Sequence, residues 1–276
     1  MENYKSSVRK HYTRDGLFEI IIQKLKDNGI EKDMITRKDI SLVDEFHLRG
    51  SQATQELVME AGFSKDTKVL DIGCGIGGPA RMIAEKFGSK VTGVDLTEEF
   101  IRTAGLLSEL VGLKDLTEFI CADATKLPFA DESYDIVWTQ HAQMNIKEKK
   151  ALYSEIYRVL KKGGQFIYYD IFSVGDEPLY FPLPWAEERS ISHLITIPDY
   201  NKLLTETGFI EVQKKDQTEN SANFIKEMFA KVAKEGAPKM GLNLLMKETS
   251  IEKLKNVLRN ISENKMAVQN GIYQKI

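Results

Sequence analysis

The sequence predicts an α/β fold in which a doubly wound parallel sheet carries helices on both faces. Between residues 68 and 216, short apolar runs alternate with amphipathic segments of helical periodicity, and this alternation is typical of parallel sheets. The first run, KVLDIG, is almost continuously hydrophobic, as expected for a strand covered on both faces. A chain of 276 residues can easily bury such a core.

The segment before the sheet, residues 1–62, is predicted to be helical. Apolar residues recur there at helical spacing, at Leu17, Phe18, Ile21, Ile22 and Leu25. Asn28 and Gly29 follow this run and are expected to end the helix.

Six strands follow in chain order, with the sequences KVLDIG, KVTGVD, LTEFICA, YDIVWTQ, QFIYYDIF and FIEVQKK. Pro79 fits the first turn of the helix after the first strand, where a missing N–H costs nothing. The helix between the fourth and fifth strands, KEKKALYSEIYRVLKKGG, is expected to end at Gly163 and Gly164.

Two amphipathic segments between residues 221 and 262 interrupt this alternation before the end of the chain. Their apolar positions are Phe224, Met228 and Val232 in the first, and Ile251, Leu254, Leu258 and Ile261 in the second. The sequence MAVQNGIYQKI then predicts one last short strand. We expect a single domain, comprising a helical lid (1–62), an α/β core (63–218), a helical cap insert (219–264) and a final core strand (265–276).

Composition and charge exclude several function classes. The formal net charge is −3 and the sequence pI is about 5.9, so neither nucleic acid nor an anionic membrane surface is an expected partner. Only Cys74 and Cys121 are present, without the spacing of a disulfide framework or a metal site. The first residues lack the apolar stretch of a signal peptide, and no run approaches the length of a membrane span. We expect a reduced, cytoplasmic protein without a metal centre.

The glycine loop after the first strand has two readings. Gly73, Gly75 and Gly78 match G-x-G-x-x-G, the pattern of dinucleotide-binding loops. In that case the following helix would face a pyrophosphate with its positive end. Asp71 stands two residues before the first glycine, however, where a carboxylate is poorly placed beside pyrophosphate and well placed beside an ammonium group. The loop therefore favours an amino-acid-bearing nucleoside over a dinucleotide.

Two further carboxylates follow the second and third strands. Asp95 ends the second strand, twenty residues after Gly75, where an acid can accept hydrogen bonds from ribose hydroxyls. Asp123 follows the third strand and can accept the exocyclic amine of adenine. Because ligands bind outside the carboxyl ends of parallel strands, we expect Asp71, Asp95 and Asp123 to line one crevice.

Four stretches in order, VLDIGCGIGG, VTGVDLT, CADATKLPFADESYDIVWTQ and IYRVLKKGGQFIYYD, resemble the successive motifs of class I S-adenosylmethionine-dependent methyltransferases. The resemblance covers roughly residues 55–215. It implies a Rossmann-like, seven-stranded sheet whose last strand is antiparallel, and it implies S-adenosylmethionine as the cofactor.

The resemblance also assigns roles to individual residues. Asp71, Gly73, Cys74 and Gly75 would contact the methionine end of the cofactor, and Gln140, after the fourth strand, would also contact the cofactor. Asp95 would hold the ribose and Leu96 would flank the adenine, with Asp123 and Ala124 at the adenine edge.

The segment ADATKLPFADESYDIVW is similar to small-molecule enzymes that methylate quinones, sterols or glycine, sarcosine and dimethylglycine. No N/D-P-P-Y motif follows the fourth strand, which disfavours methylation of adenine or glutamine amino groups. The expected reaction is an in-line methyl transfer to a small molecule.

Candidates for the acceptor site lie beyond the fourth strand and in the covering elements. His141 is a candidate general base or orienting group, with Gln143 and Met144 beside it. His47 and Arg49 precede the core, and Arg49 is a candidate partner for the methionine carboxylate. Tyr12 is a lid candidate.

An aromatic group after the fifth strand, Tyr180, Phe181 and Trp185, can hold a cationic or planar acceptor. The cap insert is expected either to cover the substrate or to form a homodimer contact. Two alternatives stay open at this stage, namely a nucleoside-binding module without turnover and an NAD-dependent oxidoreductase.

Overall fold

The computed structural model describes residues 2–236, 241, 243–246 and 249–276. Seven strands form one sheet in the order β3-β2-β1-β4-β5-β7-β6. Their bounds are β1 Lys68–Ile72, β2 Lys90–Asp95, β3 Thr117–Cys121, β4 Tyr134–Gln140, β5 Leu160–Ser173, β6 Phe209–Asp216 and β7 Met266–Lys275.

The described helices surround this sheet and precede it. They are α1 Glu2–Tyr12, α2 Leu17–Asp27, α3 Arg37–Asp44, α4 Gly50–Val58, α5 Gly78–Phe87, α6 Glu98–Leu110, α7 Lys149–Val159, α8 Ile197–Thr207, α9 Thr218–Glu235, α10 Asn243–Met246 and α11 Ser250–Ser262. None of these described helices has the length and apolar composition needed to cross a membrane.

The predicted fold class is confirmed, including the orientation of the last strand. Strands β1 to β5 pair in parallel, whereas β7 runs antiparallel to both β5 and β6. Since β7 lies between those two strands, it is a central ten-residue strand and not the short one expected from the sequence.

Alternate side chains of the strands pack against helices on opposite faces. Val69 belongs to the core formed with α4, α5, α9 and α11, whereas the adjacent Leu70 belongs to the core formed with α7 and α8. A third cluster joins α2 to α6 through Leu17, Ile21, Leu25 and Leu107. The sheet is thus covered on both faces, as its hydrophobic strands require.

One helix boundary differs from the prediction. Helix α7 ends at Val159, and Gly163 and Gly164 lie within strand β5. Leu160 is fully buried and pairs with Tyr134 of β4, so burial of this side chain in the sheet takes precedence over the local glycine signal. Ile251 also differs, because it is 51% exposed although it shares the predicted apolar face of α11.

The helices of the predicted lid and those of the predicted cap come from different parts of the chain. Helices α1 to α4 precede β1, and α9 to α11 lie between β6 and β7. Residues 237–240, 242, 247 and 248 of the predicted insert, including Pro238, lie outside the described residues.

Candidate active site

A cavity lies at the carboxyl ends of the parallel strands. Its walls include the glycine loop after β1 and the residues that follow β2, β3 and β4. Residues of α1, α9 and α11 also line it, so elements from the predicted lid and cap face the strand ends. Asp71, Asp95 and Asp123 all lie in this wall, as the sequence predicts.

The glycine loop has a conformation that requires glycine at two positions. Gly73 has φ of 72°, and a Cβ there would lie 2.2 Å from the Cβ of Ala142. Gly78, the first residue of α5, packs against α3 so closely that a Cβ would lie 2.1 Å from the carbonyl oxygen of Asp44. The loop therefore approaches the segment after β4 on one side and α3 on the other.

A buried ion pair between Arg81 and Asp44 holds this loop in place. The guanidinium of Arg81, on α5, donates to the Asp44 carboxylate at 2.8 Å and to the carbonyl oxygens of Ile76 and Ala104. Arg81 is fully buried and Asp44 is 4% exposed. Burial raises the pKa of Asp44 to about 6 despite the adjacent guanidinium. The pair ties α3, the glycine loop and α6 together.

Asp71 is a buried carboxylate with an unused acceptor. It is 1% exposed, and its Oδ2 makes no hydrogen bond with any described residue. Burial, together with the nearby Glu45 and Asp95 carboxylates, raises the pKa of Asp71 to about 8. An unpaired carboxylate of this kind is costly unless a cation or donor occupies the cavity beside it.

Asp95 is held by backbone N–H groups at the end of β2. Its Oδ2 accepts from Gly75 at 3.1 Å, and its Oδ1 accepts from Thr97 at 2.8 Å. Burial raises the pKa of this carboxyl, whereas the backbone donors lower it. Each oxygen keeps acceptor capacity toward the cavity, which Leu96 also lines.

Asp123 is bound to the first helix across the cavity. The Lys5 ammonium donates to its Oδ2 at 2.5 Å, and the Thr125 amide donates to its Oδ1 at 2.9 Å. Burial raises the pKa of Asp123, but these donors outweigh burial and bring it below its usual value. Ala124 lies beside it in the wall. The contact places α1 over this end of the cavity.

His141 lies in the opposite part of the wall with an unusual backbone conformation. Its φ is 45°, and its ring stacks on Tyr169 with centroids 5.0 Å apart. Its Nε2 makes no hydrogen bond with any described residue. Burial, with a smaller contribution from His47, lowers the pKa of His141 well below its usual value. The imidazole is therefore neutral at pH 7.

A buried polar network lies next to His141. The Glu45 carboxylate accepts from Thr54 at 2.7 Å and lies 2.9 Å from the Nε2 of His47. The Gln140 side-chain oxygen accepts from the indole of Trp138 at 3.0 Å, whereas the Gln140 Nε2 has no partner among the described residues. His47 and Gln140 line the cavity.

Four predicted site residues do not line the cavity. Arg49 binds the Glu56 carboxylate at 2.6 Å and Gln217 at 3.1 Å, so the structure does not support its predicted pairing with a methionine carboxylate.

The other three residues outside the cavity are Gln143, Tyr180 and Phe181. The Gln143 side chain is hydrogen-bonded to Thr139 and Tyr153. The backbone of Tyr180 is held by Asn260, and the Tyr180 ring faces Arg259 and Lys265. Phe181 packs into the core.

The orientation of Tyr180 has a clear cause. Asn260 of α11 bonds both the N–H and the carbonyl group of Tyr180, at 2.9 and 3.1 Å. The centroid of the Tyr180 ring lies 3.6 Å from the Arg259 guanidinium and 4.1 Å from the Lys265 ammonium. Those cations occupy the aromatic face that was expected to hold a substrate.

The other predicted acceptor-site residues do line the cavity, namely Tyr12, Met144 and Trp185. The Tyr12 hydroxyl donates to Asn145 at 2.7 Å, and the Asn145 amide donates to the Trp185 carbonyl at 2.9 Å. Asn145 was not predicted from the sequence, although it connects α1 to the segment that follows β5.

Several other lining residues also escaped prediction as site residues. They are mostly apolar or lie on α1: Tyr4, Lys5, Phe46, Asn145, Ile171, Phe224, Met228, Met246 and Leu254. The helical periodicity of Phe224, Met228 and Leu254 was a usable signal. An amphipathic helix outside the α/β core must pack its apolar face against another surface or a ligand.

The sheet order, the glycine loop after β1 and the carboxylates at the ends of the first three strands are those of the Rossmann-like fold found in solved methyltransferase structures. Residues 70–168 match the family model described as a methyltransferase domain, so the resemblance noted from the sequence is confirmed for this domain.

The chain is similar to phosphoethanolamine N-methyltransferase 1 of Arabidopsis thaliana, with 31% identity over 186 residues, covering 67% of this chain and 37% of that protein. It is 42% identical over 114 residues to sterol 24-C-methyltransferase ERG6B of Gibberella zeae, covering 41% and 30%. The chain thus spans about a third of the length of these curated relatives.

A solved structure of geranyl diphosphate C-methyltransferase from Streptomyces coelicolor A3(2), in complex with Mg²⁺, geranyl-S-thiolodiphosphate and S-adenosyl-L-homocysteine, has the same fold. The TM-score is 0.72 at 15% identity, covering 99% of this chain and 98% of that one.

Proposed function

We propose that the protein transfers a methyl group from S-adenosylmethionine to a small molecule. The observation that carries this proposal is the unpaired Asp71 carboxylate behind the glycine loop. Its position suits the ammonium group of the cofactor's methionine end, with which the ionised carboxylate would pair, whereas the same ionised carboxylate would repel a pyrophosphate. The methyltransferase domain match over residues 70–168 supports the same cofactor.

The remaining strand-end residues would hold the adenosyl part. Asp95 would accept the ribose hydroxyls with the acceptor capacity that its backbone donors leave free, and Leu96 and Ala124 would flank the adenine. Asp123 would accept the adenine amine, sharing its carboxylate with Lys5. Helix α1 thus serves as a lid, and the α9–α11 insert serves as a cap over the acceptor.

His141 is the proposed polar group at the acceptor. The bound cofactor supplies an electrophilic methyl group on a sulfonium. In the displacement, the acceptor's lone pair forms the new bond to carbon while the carbon–sulfur bond breaks and its electron pair stays on sulfur. The neutral imidazole can accept a hydrogen bond from the acceptor's X–H group through Nε2, orient its lone pair and receive its proton.

Turnover tests this proposal. The full chain is incubated with methyl-labelled S-adenosylmethionine and a panel of amines, quinone precursors and hydroxylated aromatics, and products are read by mass. We expect His141→Ala to lower kcat for the accepted substrate by about 10²–10⁴-fold, with S-adenosylhomocysteine affinity unchanged. His193→Ala is the matched control, because His193 does not line the cavity, and it should retain activity.

Two outcomes would contradict this assignment. Cofactor binding without product across the panel would favour a binding module without turnover. Unchanged kcat in His141→Ala would remove the proposed role of the imidazole while leaving methyl transfer in place.

We further infer that the protein works in the cytoplasm, with a small-molecule acceptor as its partner and without nucleic acid. The free thiols of Cys74 and Cys121 and the net charge of −3 support this inference. A homodimer stays a prediction, which sedimentation of the full chain would test.

A further inference from the structure

We propose that the methyl acceptor is an uncharged, mainly apolar molecule with one polar methyl-accepting group, and that phosphorylated acceptors are excluded. This inference rests on the proposed function and adds the substrate class. It comes from two features of the cavity, namely the apolar wall contributed by the cap and the excess of carboxyl groups over cationic groups in the rest of the lining.

The wall supplied by the cap and its surroundings is hydrophobic. Helix α9 contributes Phe224 and Met228, α10 contributes Met246, and α11 contributes Leu254. Ile171, at the end of β5, and Trp185 complete this part of the cavity. Such a surface gains free energy by covering an apolar acceptor, at roughly 25 cal/mol per Å² removed from water.

The ionisable side chains in the same cavity are mostly carboxyls. Asp44, Asp71, Asp95 and Asp123 all line it, and Lys5 is the single Lys or Arg side chain among its described lining residues. Lys5 is already paired with Asp123 at 2.5 Å. A phosphate would therefore bring a negative charge into a buried site where no cation among the described lining residues is free to pair with it, which is strongly unfavourable.

The polar capacity at the acceptor end is small and neutral. The Nε2 of His141 has no partner among the described residues, whereas Asn145 is already committed to Tyr12, Trp185 and Ile191. The His141 imidazole and the neighbouring Gln140 amide, whose Nε2 also has no partner among the described residues, are both neutral. Beside an apolar wall, they match an acceptor with one hydroxyl or one unprotonated amine on an apolar body.

A matched pair of probes tests this specificity. Binding of 4-hexylphenol and of 4-hexylphenyl phosphate to the full chain is measured by calorimetry with S-adenosylhomocysteine present. We expect the phenol to bind at least about tenfold more tightly, the difference in free energy being about 1.4 kcal/mol for each factor of ten. Equal or tighter binding of the phosphate ester, or no binding of either probe, would overturn the inference.

A charge placed in the apolar wall gives the second arm. Met228 is partly buried and lines the cavity, so Met228→Lys should shift the preference toward the phosphate ester by about tenfold or more. Met34→Lys makes the same change at a side chain that is 70% exposed and outside the cavity, and should leave the preference unchanged. An equal shift in both variants, or none in Met228→Lys, would contradict the proposed location.

Titration of each protein with S-adenosylhomocysteine alone separates the two levels of the proposal. If the nucleoside does not bind to the wild-type chain, the proposed function fails. If it binds normally and the phosphate ester is preferred, only the acceptor class is wrong.

Discussion

Arg81→Leu is expected to lower the free energy of unfolding by about 3–5 kcal/mol at pH 7. The substitution leaves the Asp44 carboxylate, 4% exposed, without its guanidinium partner at 2.8 Å. It also removes the donors to the carbonyl groups of Ile76 and Ala104. Urea denaturation of the wild type and the variant measures the difference.

The pH dependence of this loss identifies its cause. The folded-state pKa of Asp44 lies above its ordinary value, at about 6, and removal of Arg81 should raise it further. At pH 5 the carboxyl is then largely protonated, so the loss should be smaller than at pH 7. The double variant Arg81→Leu, Asp44→Leu should recover part of the stability. An equal loss at both pH values would contradict this explanation.

Arg102→Leu is the matched control. Arg102 pairs with Glu19 at 2.8 Å and with Glu99 at 3.0 Å, but the Arg102 side chain itself is 43% exposed and that of Glu19 is 61% exposed. Water and salt screen such pairs, so the loss should stay below about 1 kcal/mol. A loss as large as that of Arg81→Leu would show that burial is not the reason for the difference.

Affinity for S-adenosylhomocysteine is expected to rise about tenfold per pH unit between pH 6 and pH 7.5, and to level off near pH 8. The pKa of Asp71 in the ligand-free protein is raised to about 8 by burial and by the neighbouring carboxylates. Below that pH the carboxyl holds a proton, and pairing with the ligand's ammonium group requires its release. Release of one proton on binding changes the affinity tenfold for each pH unit.

Calorimetry over this pH range, in buffers of different ionisation enthalpy, measures both the slope and the released proton. Asp71→Asn should bind more weakly and lose the pH dependence. Asp135→Asn, at a carboxyl bound to Lys161 at 2.6 Å outside the cavity, should keep the wild-type profile. A flat wild-type profile would contradict the placement of the ammonium group at Asp71.

The parts of the site that follow strand ends were predictable from the sequence. Asp71, Asp95 and Asp123 each stand where a parallel strand ends, and topology alone brings such positions to one edge of a sheet. These predictions needed the order of the strands but no knowledge of long-range side-chain partners.

Predictions that depended on side-chain partners were less successful. Arg49 was assigned to the cofactor by its charge, but Glu56 and Gln217, the latter 168 positions away in sequence, bind its guanidinium. Tyr180 was assigned by its aromatic ring, which Arg259 and Lys265 occupy. Lys5 and Asn145 were missed for the same reason, because their contacts join segments more than 100 residues apart.

The most direct test of the central claim is calorimetric titration of the full chain at pH 8 with S-adenosylhomocysteine and, in parallel, with NAD. We predict one-site binding of S-adenosylhomocysteine and none of NAD. Asp95→Ala should weaken the binding by about 1–3 kcal/mol, since the ribose hydroxyls lose their acceptor, and Asp115→Ala, at an exposed site, should not change it. Binding of NAD alone, or an Asp95→Ala variant with unchanged affinity, would contradict the assignment of this cavity to the methyl donor.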